Sequence, residues 1–190
     1  MHLITIGGWP IFFLGLASLG AGYLYSHGPY PVSRSPFGEL VVIAFFGIAA
    51  VGGSVYLQTG TVSNAAWLWG LAMGLPAGAV LVLNNVRDKI GDQLAGRRTL
   101  AILIGTKSCL WLYAVLMLGP LVLAVLSVTF GLTPPGALTG LATLPLAIKN
   151  IRTFRASPGG QELNPLLGAT VRFQGLFALT TCLGMFVTMI

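Results

Sequence analysis

The most polar stretch of the 190-residue sequence runs from Asn84 to Leu100. It contains Asp88 and Asp92, which are two of only four acidic residues in the chain. At this spacing two side chains share one face of a helix, with about 5–6 Å between their Cβ atoms. Mg²⁺ usually takes one or two carboxylates together with phosphate oxygens of a substrate. The pair is therefore chemically suited to hold a divalent cation.

The residues around this pair supply amide and cationic groups. Asn84 and Asn85 offer carbonyl ligands or hydrogen bonds, Arg87 and Lys89 add compensating positive charge, and 96–99 forms a turn with further donors. Cationic donors of this kind hold an anion that the metal ion also contacts. The stretch predicts a carboxylate–metal–diphosphate clamp, although a D-x-x-x-D spacing alone also fits ordinary solvated loop charges.

Composition excludes a water-soluble fold. The chain is 55% hydrophobic and only 7% charged, with a mean hydropathy of +0.87, whereas soluble domains carry about 25% charged residues. The net charge is +6, but the basic residues are scattered among apolar ones and form no nucleic-acid face. A polytopic membrane protein with no nucleic-acid partner accounts for both observations.

Six segments are candidates to cross a lipid bilayer, which requires about 20 apolar residues each. They are Ile4–Tyr25, Leu40–Gln58, Ala65–Leu83, Ser108–Gly131, Gly136–Ile148 and Leu166–Ile190. The fifth is short before Lys149, unless its basic side chains extend to the interface. The sequence predicts an all-α transmembrane bundle of about six helices, forming a single domain over residues 1–190.

The charged residues lie in alternate connections. With six crossings, segments 26–39, 84–107 and 149–165 lie on one side, and they hold nearly all the ionisable groups. The positive-inside rule makes that side cytoplasmic and places both termini on the opposite face. Arg172 lies inside an apolar segment, and two interpretations stay open: it extends to the nearby interface, or it takes part in the site.

The polar stretch resembles the second aspartate-rich motif of the UbiA superfamily of intramembrane prenyltransferases. The similarity rests on the pattern N-N-x-R-D-x-x-x-D-x-x-x-G-x-R-T-L over residues 84–100. Within the superfamily it is most similar to the 1,4-dihydroxy-2-naphthoate polyprenyltransferases of menaquinone biosynthesis. Two more stretches agree, 28–39 and 45–58, so the resemblance covers nearly the whole chain.

This resemblance implies an enzyme of a bacterial inner membrane with a cavity open to lipid. Its activity would join a polyprenyl diphosphate to an aromatic acceptor, with Mg²⁺ as cofactor. By analogy Asp88 and Asp92 would bind Mg²⁺, and Asn84 or Asn85 would support them. The resemblance also implies a set of cationic side chains that contact the diphosphate. These are Arg97, at a position where the family usually has lysine, together with Arg98 and Lys89.

The sequence departs from the family in one respect. The family's first aspartate-rich motif, an N-D-x-x-D-like run, does not occur in these 190 residues. We therefore expect an N-terminally truncated member, the C-terminal two-thirds of a nine-helix fold that lacks the first three helices. Such a chain would have little or no activity alone. Two alternatives stay open: a small membrane transporter, or an inert subunit whose partner chain supplies the first motif.

Overall fold

A computed structural model describes residues 2–157 and 159–190. Within these residues the chain forms seven α-helices and no β-strand, which confirms the all-α prediction. The helices are α1 His2–Ser26, α2 Gly38–Thr59, α3 Asn64–Arg87, α4 Lys89–Leu94, α5 Leu100–Thr129, α6 Leu144–Ala156 and α7 Asn164–Val187.

Five helical segments in the described part of the chain are long and apolar enough to cross a membrane. They are α1, α2, α3, α5 and a segment Gly160–Val187 that contains α7. These segments correspond to five of the six predicted crossings. The chain is accordingly a multi-pass membrane protein with a helical-bundle fold.

The predicted fifth crossing does not form one apolar helix. Instead, a 3₁₀ helix over Pro135–Thr143 leads into α6. Pro145 lies at the start of α6, where its missing N–H costs no intrahelical hydrogen bond. At about 2.0 Å per 3₁₀ residue and 1.5 Å per α-helical residue, the two pieces span roughly 37 Å. The segment is thus made of two helix types, and it is not one of the five helical segments long and apolar enough to cross a membrane.

Helix α3 lies at the centre of the bundle and packs against α2, α5 and α7. It lies directly against a π-helical turn within α2, Ala44–Ala49. A Cβ atom on Gly47 would lie 2.5 Å from the Cα atom of Gly74, so the two backbones are in direct contact. Small residues are favoured at helix interfaces in lipid because there packing, rather than water exclusion, drives association.

Aromatic side chains fill the space between α5, α6 and α7. Tyr113 is fully buried, and its ring meets that of Phe154 edge-on with 5.3 Å between centroids. Its hydroxyl group pairs with that of Thr170 at 2.7 Å, which satisfies both polar groups in the apolar interior. Helix α1 differs, since only Gly7 is buried there and its main helix contacts are with α2.

The three predicted same-side connections meet at one end of the bundle. The Arg98 backbone N–H donates to the Arg34 carbonyl oxygen at 2.9 Å, which joins the first connection to the third. Arg87 Nη1 donates to Asn164 Oδ1 at 3.2 Å, which joins the third to the start of α7. We call this region the charged end. The opposite end holds the turns at 60–63 and 130–134, which contain no ionisable residue.

Candidate active site

Most of the polar stretch is helical rather than an open loop. Helix α3 continues through Arg87, so Asn84 and Asn85 lie on its last turn. Asp88 has φ −94° and ψ 3°, a conformation outside the α region, and it separates α3 from α4. The chain therefore changes direction at the first predicted metal ligand, while the Asp88 N–H still bonds to the Asn84 carbonyl oxygen at 2.9 Å.

The two predicted metal ligands are one helical turn apart. The backbone N–H of Asp92 donates to the carbonyl oxygen of Asp88 at 2.9 Å. Asp92 is buried, with 7% of its surface exposed, whereas 41% of the Asp88 side chain is exposed. One carboxylate is thus held in the protein while its neighbour is open to a ligand.

Each carboxylate is paired with an arginine. Arg87 donates from Nε to Asp88 Oδ1 at 2.8 Å and from Nη2 to Oδ2 at 2.6 Å, which makes a bidentate pair. Arg97 Nη1 donates to Asp92 Oδ1 at 2.9 Å. The hydrogen bonds from Arg87 hold the pKa of the Asp88 carboxyl group below its ordinary value. Asp88 is therefore ionised at neutral pH, the form that binds a cation.

The remaining predicted residues fall into two groups. Asn85 Nδ2 donates to Glu39 Oε1 at 2.8 Å, so this amide is fixed by a contact with α2. The backbone carbonyl oxygen of Asn84 accepts a hydrogen bond from the N–H of Asp88. Lys89 and Arg98 form no ion pair with any described residue, and Arg98 is exposed. These two cationic side chains are near Asp88 and Asp92 in sequence but form no ion pair with them.

Three residues beyond the predicted set contribute to this arrangement. Arg87 was interpreted only as compensating charge, yet it contacts both oxygens of Asp88. Asn164 accepts from Arg87, and Glu39 accepts from Asn85. A sequence signal existed for Arg87 and Glu39, which lie in the two polar stretches that carry the family resemblance. No such signal pointed to Asn164.

Arg172 lies outside this cluster. It is exposed on α7 and forms no ion pair with a carboxylate in the described part of the chain. This placement favours the interpretation that its side chain extends to the membrane interface. The acidic residues and their arginine partners instead lie together at the charged end, which does not favour a transporter with ionisable groups at mid-membrane.

The oxygen donors at the charged end fit a hard divalent cation. Carboxylate and amide oxygens are the protein ligands that Mg²⁺ accepts, and it completes its shell with water and phosphate oxygens. The described residues contain no group of three or more His, Cys, Asp or Glu side chains close enough to hold an ion alone. A cation here would thus need oxygen atoms from a bound substrate as well as Asp88 and Asp92.

An apolar cavity of about 700 Å³ lies between α1 and α2. Its walls include Phe45, Phe46 and Tyr25, and almost all of the lining is hydrocarbon. The Tyr25 hydroxyl oxygen lies 3.7 Å from the position that a Cβ atom on Gly38 would take. Since Gly38 precedes Glu39, the cavity reaches the charged end beside the hydrogen bond from Asn85.

Comparison with known proteins agrees with this arrangement. Residues 1–164 match the model of the UbiA prenyltransferase family. The chain is 35% identical to a 1,4-dihydroxy-2-naphthoate octaprenyltransferase of Mycobacterium tuberculosis, over 83% of this chain and 53% of that protein. The enzyme of the same name from Escherichia coli is 34% identical, over 92% and 57% of the two chains. That from Bacillus subtilis is 26% identical, over 99% and 60%.

The chain thus spans between 53% and 60% of the length of these three relatives. The family match includes the whole polar stretch, the cavity-lining parts of α1 and α2, and the start of α7. Both the sequence pattern and the helical bundle agree with this assignment, and the chain belongs to the UbiA prenyltransferase family.

Proposed function

We propose that this protein transfers a polyprenyl group from polyprenyl diphosphate to an aromatic acceptor in menaquinone biosynthesis. The observation that carries the proposal is the pair Asp88 and Asp92, placed with two arginines beside an apolar cavity. The acceptor we propose is 1,4-dihydroxy-2-naphthoate, the compound after which three of the relatives are named.

The carboxylates would hold a metal ion that bridges to the diphosphate. UbiA prenyltransferases generally depend on a divalent metal ion, and we propose Mg²⁺ here. Asp88 and Asp92 would be its protein ligands, with Asn84 and Asn85 in support. When bound, the ion would supply a Lewis acid that neutralises the negative charge developing on the diphosphate leaving group.

Cationic side chains would bind the diphosphate directly. Arg97, Arg98 and Lys89 lie within ten residues of Asp88, and Arg98 and Lys89 form no ion pair with a described residue. A guanidinium group can donate two parallel hydrogen bonds to phosphate oxygens, and it stabilises charge that grows as the bond to carbon breaks. When the carboxylates take up a metal ion, Arg97 would exchange Asp92 for a diphosphate oxygen.

The cavity between α1 and α2 would accept the polyprenyl chain. Its hydrocarbon lining matches an isoprenoid, and burial of apolar surface there is favourable by about 25 cal/mol per Å². The faces of Phe45 and Phe46 carry negative π density, which tolerates positive charge on an allylic carbon. Tyr25 would mark the boundary between the chain and the diphosphate.

The charged end would face the cytoplasm from the inner membrane of a bacterium. All ten lysines and arginines lie in or near the connections that meet there, as the positive-inside rule requires for a cytoplasmic face. Labelling with a membrane-impermeant maleimide would test this orientation. With Cys109 and Cys182 replaced by alanine, a cysteine at Gln93 should react only when the cytoplasmic face is exposed.

The transfer assay that tests the function should compare two preparations. These are residues 1–190 alone and the same chain with a membrane polypeptide that carries an N-D-x-x-D motif. Because residues 1–190 hold one aspartate pair, we expect little turnover alone and Mg²⁺-dependent turnover with the second polypeptide. Robust turnover by residues 1–190 alone would contradict the need for a partner. Absence of transfer in both preparations would contradict the proposed activity.

A further inference from the structure

Glu39 is a buried carboxylate in the first turn of α2. Only 4% of its surface is exposed. Its Oε1 accepts a hydrogen bond from Asn85 Nδ2 at 2.8 Å, across 46 residues of sequence. Its Oε2 is also buried, and it has no hydrogen-bond partner among the residues that the structure describes.

The dipole of α2 favours an acidic side chain in its first turn, but this contribution is smaller than the cost of burying a charge and does not offset it. Removal of a carboxylate from water is costly unless hydrogen bonds replace its hydration, and here one oxygen atom lacks them. A glutamine could also bond to Asn85 without burying a charge, but its amide group can both donate and accept and would not fix the Asn85 orientation. The other glutamate of the chain, Glu162, is exposed, as expected for a residue without such a constraint.

We propose that Glu39 is a positioning residue that acts on the metal site through Asn85. This inference rests on the proposed function. An ionised carboxylate can only accept hydrogen bonds, so it contacts the amide NH₂ group of Asn85 and not the amide oxygen. The contact therefore fixes the amide orientation and leaves Asn85 Oδ1 available to a ligand.

The orientation of the Asn85 amide matters because Asn85 lies close to Asp88 along the chain. Asn85 lies on the last turn of α3, three residues before Asp88, at the point where the chain turns into α4. Groups that hydrogen-bond to a metal ligand fix its direction, and their loss typically costs about 10–100-fold in metal affinity. Glu39 also links α2, which lines the apolar cavity, to the helix that carries the aspartate motif.

The test measures binding of Mn²⁺, as a paramagnetic substitute for Mg²⁺, together with inorganic pyrophosphate. The purified 190-residue chain in detergent micelles would be titrated and free Mn²⁺ followed by electron paramagnetic resonance. We expect Glu39→Ala to weaken Mn²⁺ binding by about 10–100-fold. Glu39→Gln should bind between Glu39→Ala and wild type, because its side-chain oxygen can accept from Asn85 but its NH₂ group can equally donate to Asn85 Oδ1. The matched control, Glu162→Ala, should bind like the wild-type chain.

Asp88→Asn separates this inference from the proposed function. If Asp88→Asn loses Mn²⁺ and Glu39→Ala retains wild-type affinity, the positioning role is wrong and the metal site stands. If Asp88→Asn retains wild-type affinity, or the wild-type chain binds no Mn²⁺, the metal assignment itself is wrong. Equal losses in Glu39→Gln and Glu39→Ala would also overturn the inference, since charge and not orientation would then matter.

A second variant keeps the inference testable if Glu39→Ala does not fold. Asn85→Ala removes the amide group on which Glu39 acts, and it should lose affinity for Mn²⁺ by a similar factor. In that background Glu39→Gln should have no further effect, because its only contact is gone. Wild-type affinity in Asn85→Ala, or a further loss on adding Glu39→Gln, would overturn the role of this contact.

Discussion

The charged end and the opposite end of the bundle are held together by different kinds of contact. At the charged end, side chains from separate connections are joined by polar pairs, such as Arg87 with Asn164. At the opposite end, backbones approach directly, and a Cβ atom on Gly184 would overlap the carbonyl oxygen of Gly136. There the Thr139 hydroxyl group also donates to the Thr180 carbonyl oxygen at 2.6 Å.

The two ends differ in the polar groups that remain free to bind a ligand. At the charged end Glu39 Oε2 has no partner in the described residues, and the Asp88 side chain is 41% exposed. At the opposite end α7 packs closely against the 3₁₀ helix Pro135–Thr143, and the packed segments contain no Asp, Glu, Lys or Arg, although the neutral Thr181 Oγ1 is also buried without a partner in the described residues. Unused donors and acceptors bind ligands, whereas filled space stabilises a fold. The comparison therefore predicts ligand binding at the charged end and a larger contribution to folding stability at the other.

Helices α3 and α7 each extend from one end to the other. Both contain 24 residues, which at 1.5 Å per residue is about 36 Å. Free-energy effects of substitutions farther apart than about 7–10 Å, with no shared partners, usually add independently. Substitutions at one end should thus leave the property of the other end unchanged.

The largest effect is expected from Asp88→Asn at the charged end. The substitution removes a carboxylate that would hold the metal ion, and loss of one electrostatic contact to a transition state typically costs about 10²–10³ in rate. The thermal midpoint should stay near wild type, because a partly exposed ion pair such as Arg87 with Asp88 contributes little to stability. The measurement is Mg²⁺-dependent prenyl transfer by the chain together with an N-D-x-x-D polypeptide.

The control for this experiment is Glu162→Gln, which removes an exposed carboxylate at the same end of the bundle. It should transfer the prenyl group at the wild-type rate. An Asp88→Asn protein with unchanged Mg²⁺-dependent activity would remove Asp88 from the metal site.

The next largest effect is expected from Gly184→Ala at the opposite end. The added methyl group would lie 2.7 Å from Thr139 Cγ2 and would overlap the Gly136 carbonyl oxygen. Overpacking of this kind typically costs about 1–3 kcal/mol. The free energy of unfolding can be measured by titration with sodium dodecyl sulfate in mixed micelles, while Mn²⁺ affinity of the folded fraction should not change.

Gly175→Ala in the same helix is the matched control. A Cβ atom on Gly175 has no neighbour within 4 Å, so its alanine variant should be as stable as the wild-type chain or more stable by up to about 1 kcal/mol. If Gly184→Ala and Gly175→Ala had equal free energies of unfolding, close backbone contact would not stabilise this end.

Features with a local cause could be predicted from the sequence. Long apolar segments predict six crossings, five of which correspond to helices long and apolar enough to span a membrane, and the alternation of charged connections predicts which connections share an end. The spacing of Asp88 and Asp92 indicated one helical turn, which the backbone hydrogen bond between them confirms. Each of these features depends on residues that are neighbours in the chain.

Features that depend on distant residues could not be predicted in this way. Asn164 contacts Arg87 across 77 residues, and Glu39 contacts Asn85 across 46. Nothing in the local sequence of Glu39 shows that α2 begins beside the last turn of α3. The helix type of the fifth segment could not be predicted for a related reason: Pro135–Thr143 adopts a 3₁₀ helix while packed against α7, and apolar content alone does not show helix type.

A smaller effect is expected from Asn164→Ala at the charged end. The substitution removes the acceptor for Arg87 Nη1 but leaves both hydrogen bonds from Arg87 to Asp88. Loss of one such bond costs about 1 kcal/mol, or roughly fivefold in affinity. Titration of Mn²⁺ with pyrophosphate would detect a loss of this size.

Asn64→Ala is the matched control for this variant, because Asn64 is an exposed asparagine at the other end of α3. It should bind Mn²⁺ like the wild-type chain. An equal loss of affinity in both variants would show that the two ends are coupled through α3, contrary to the comparison.

The smallest effect is expected from Thr139→Val, which changes one hydroxyl group to a methyl group at the opposite end. It removes the hydrogen bonds to the Gly136 and Thr180 carbonyl oxygens, of which only the second joins two helices, without opening a cavity. Interhelical hydrogen bonds in membranes contribute about 0.6 kcal/mol on average, so the free energy of unfolding should fall by about that amount. Thr180→Val is the control, since its hydroxyl group bonds only within α7. A change in Mn²⁺ affinity in Thr139→Val would show that packing at this end positions the metal ligands at the other.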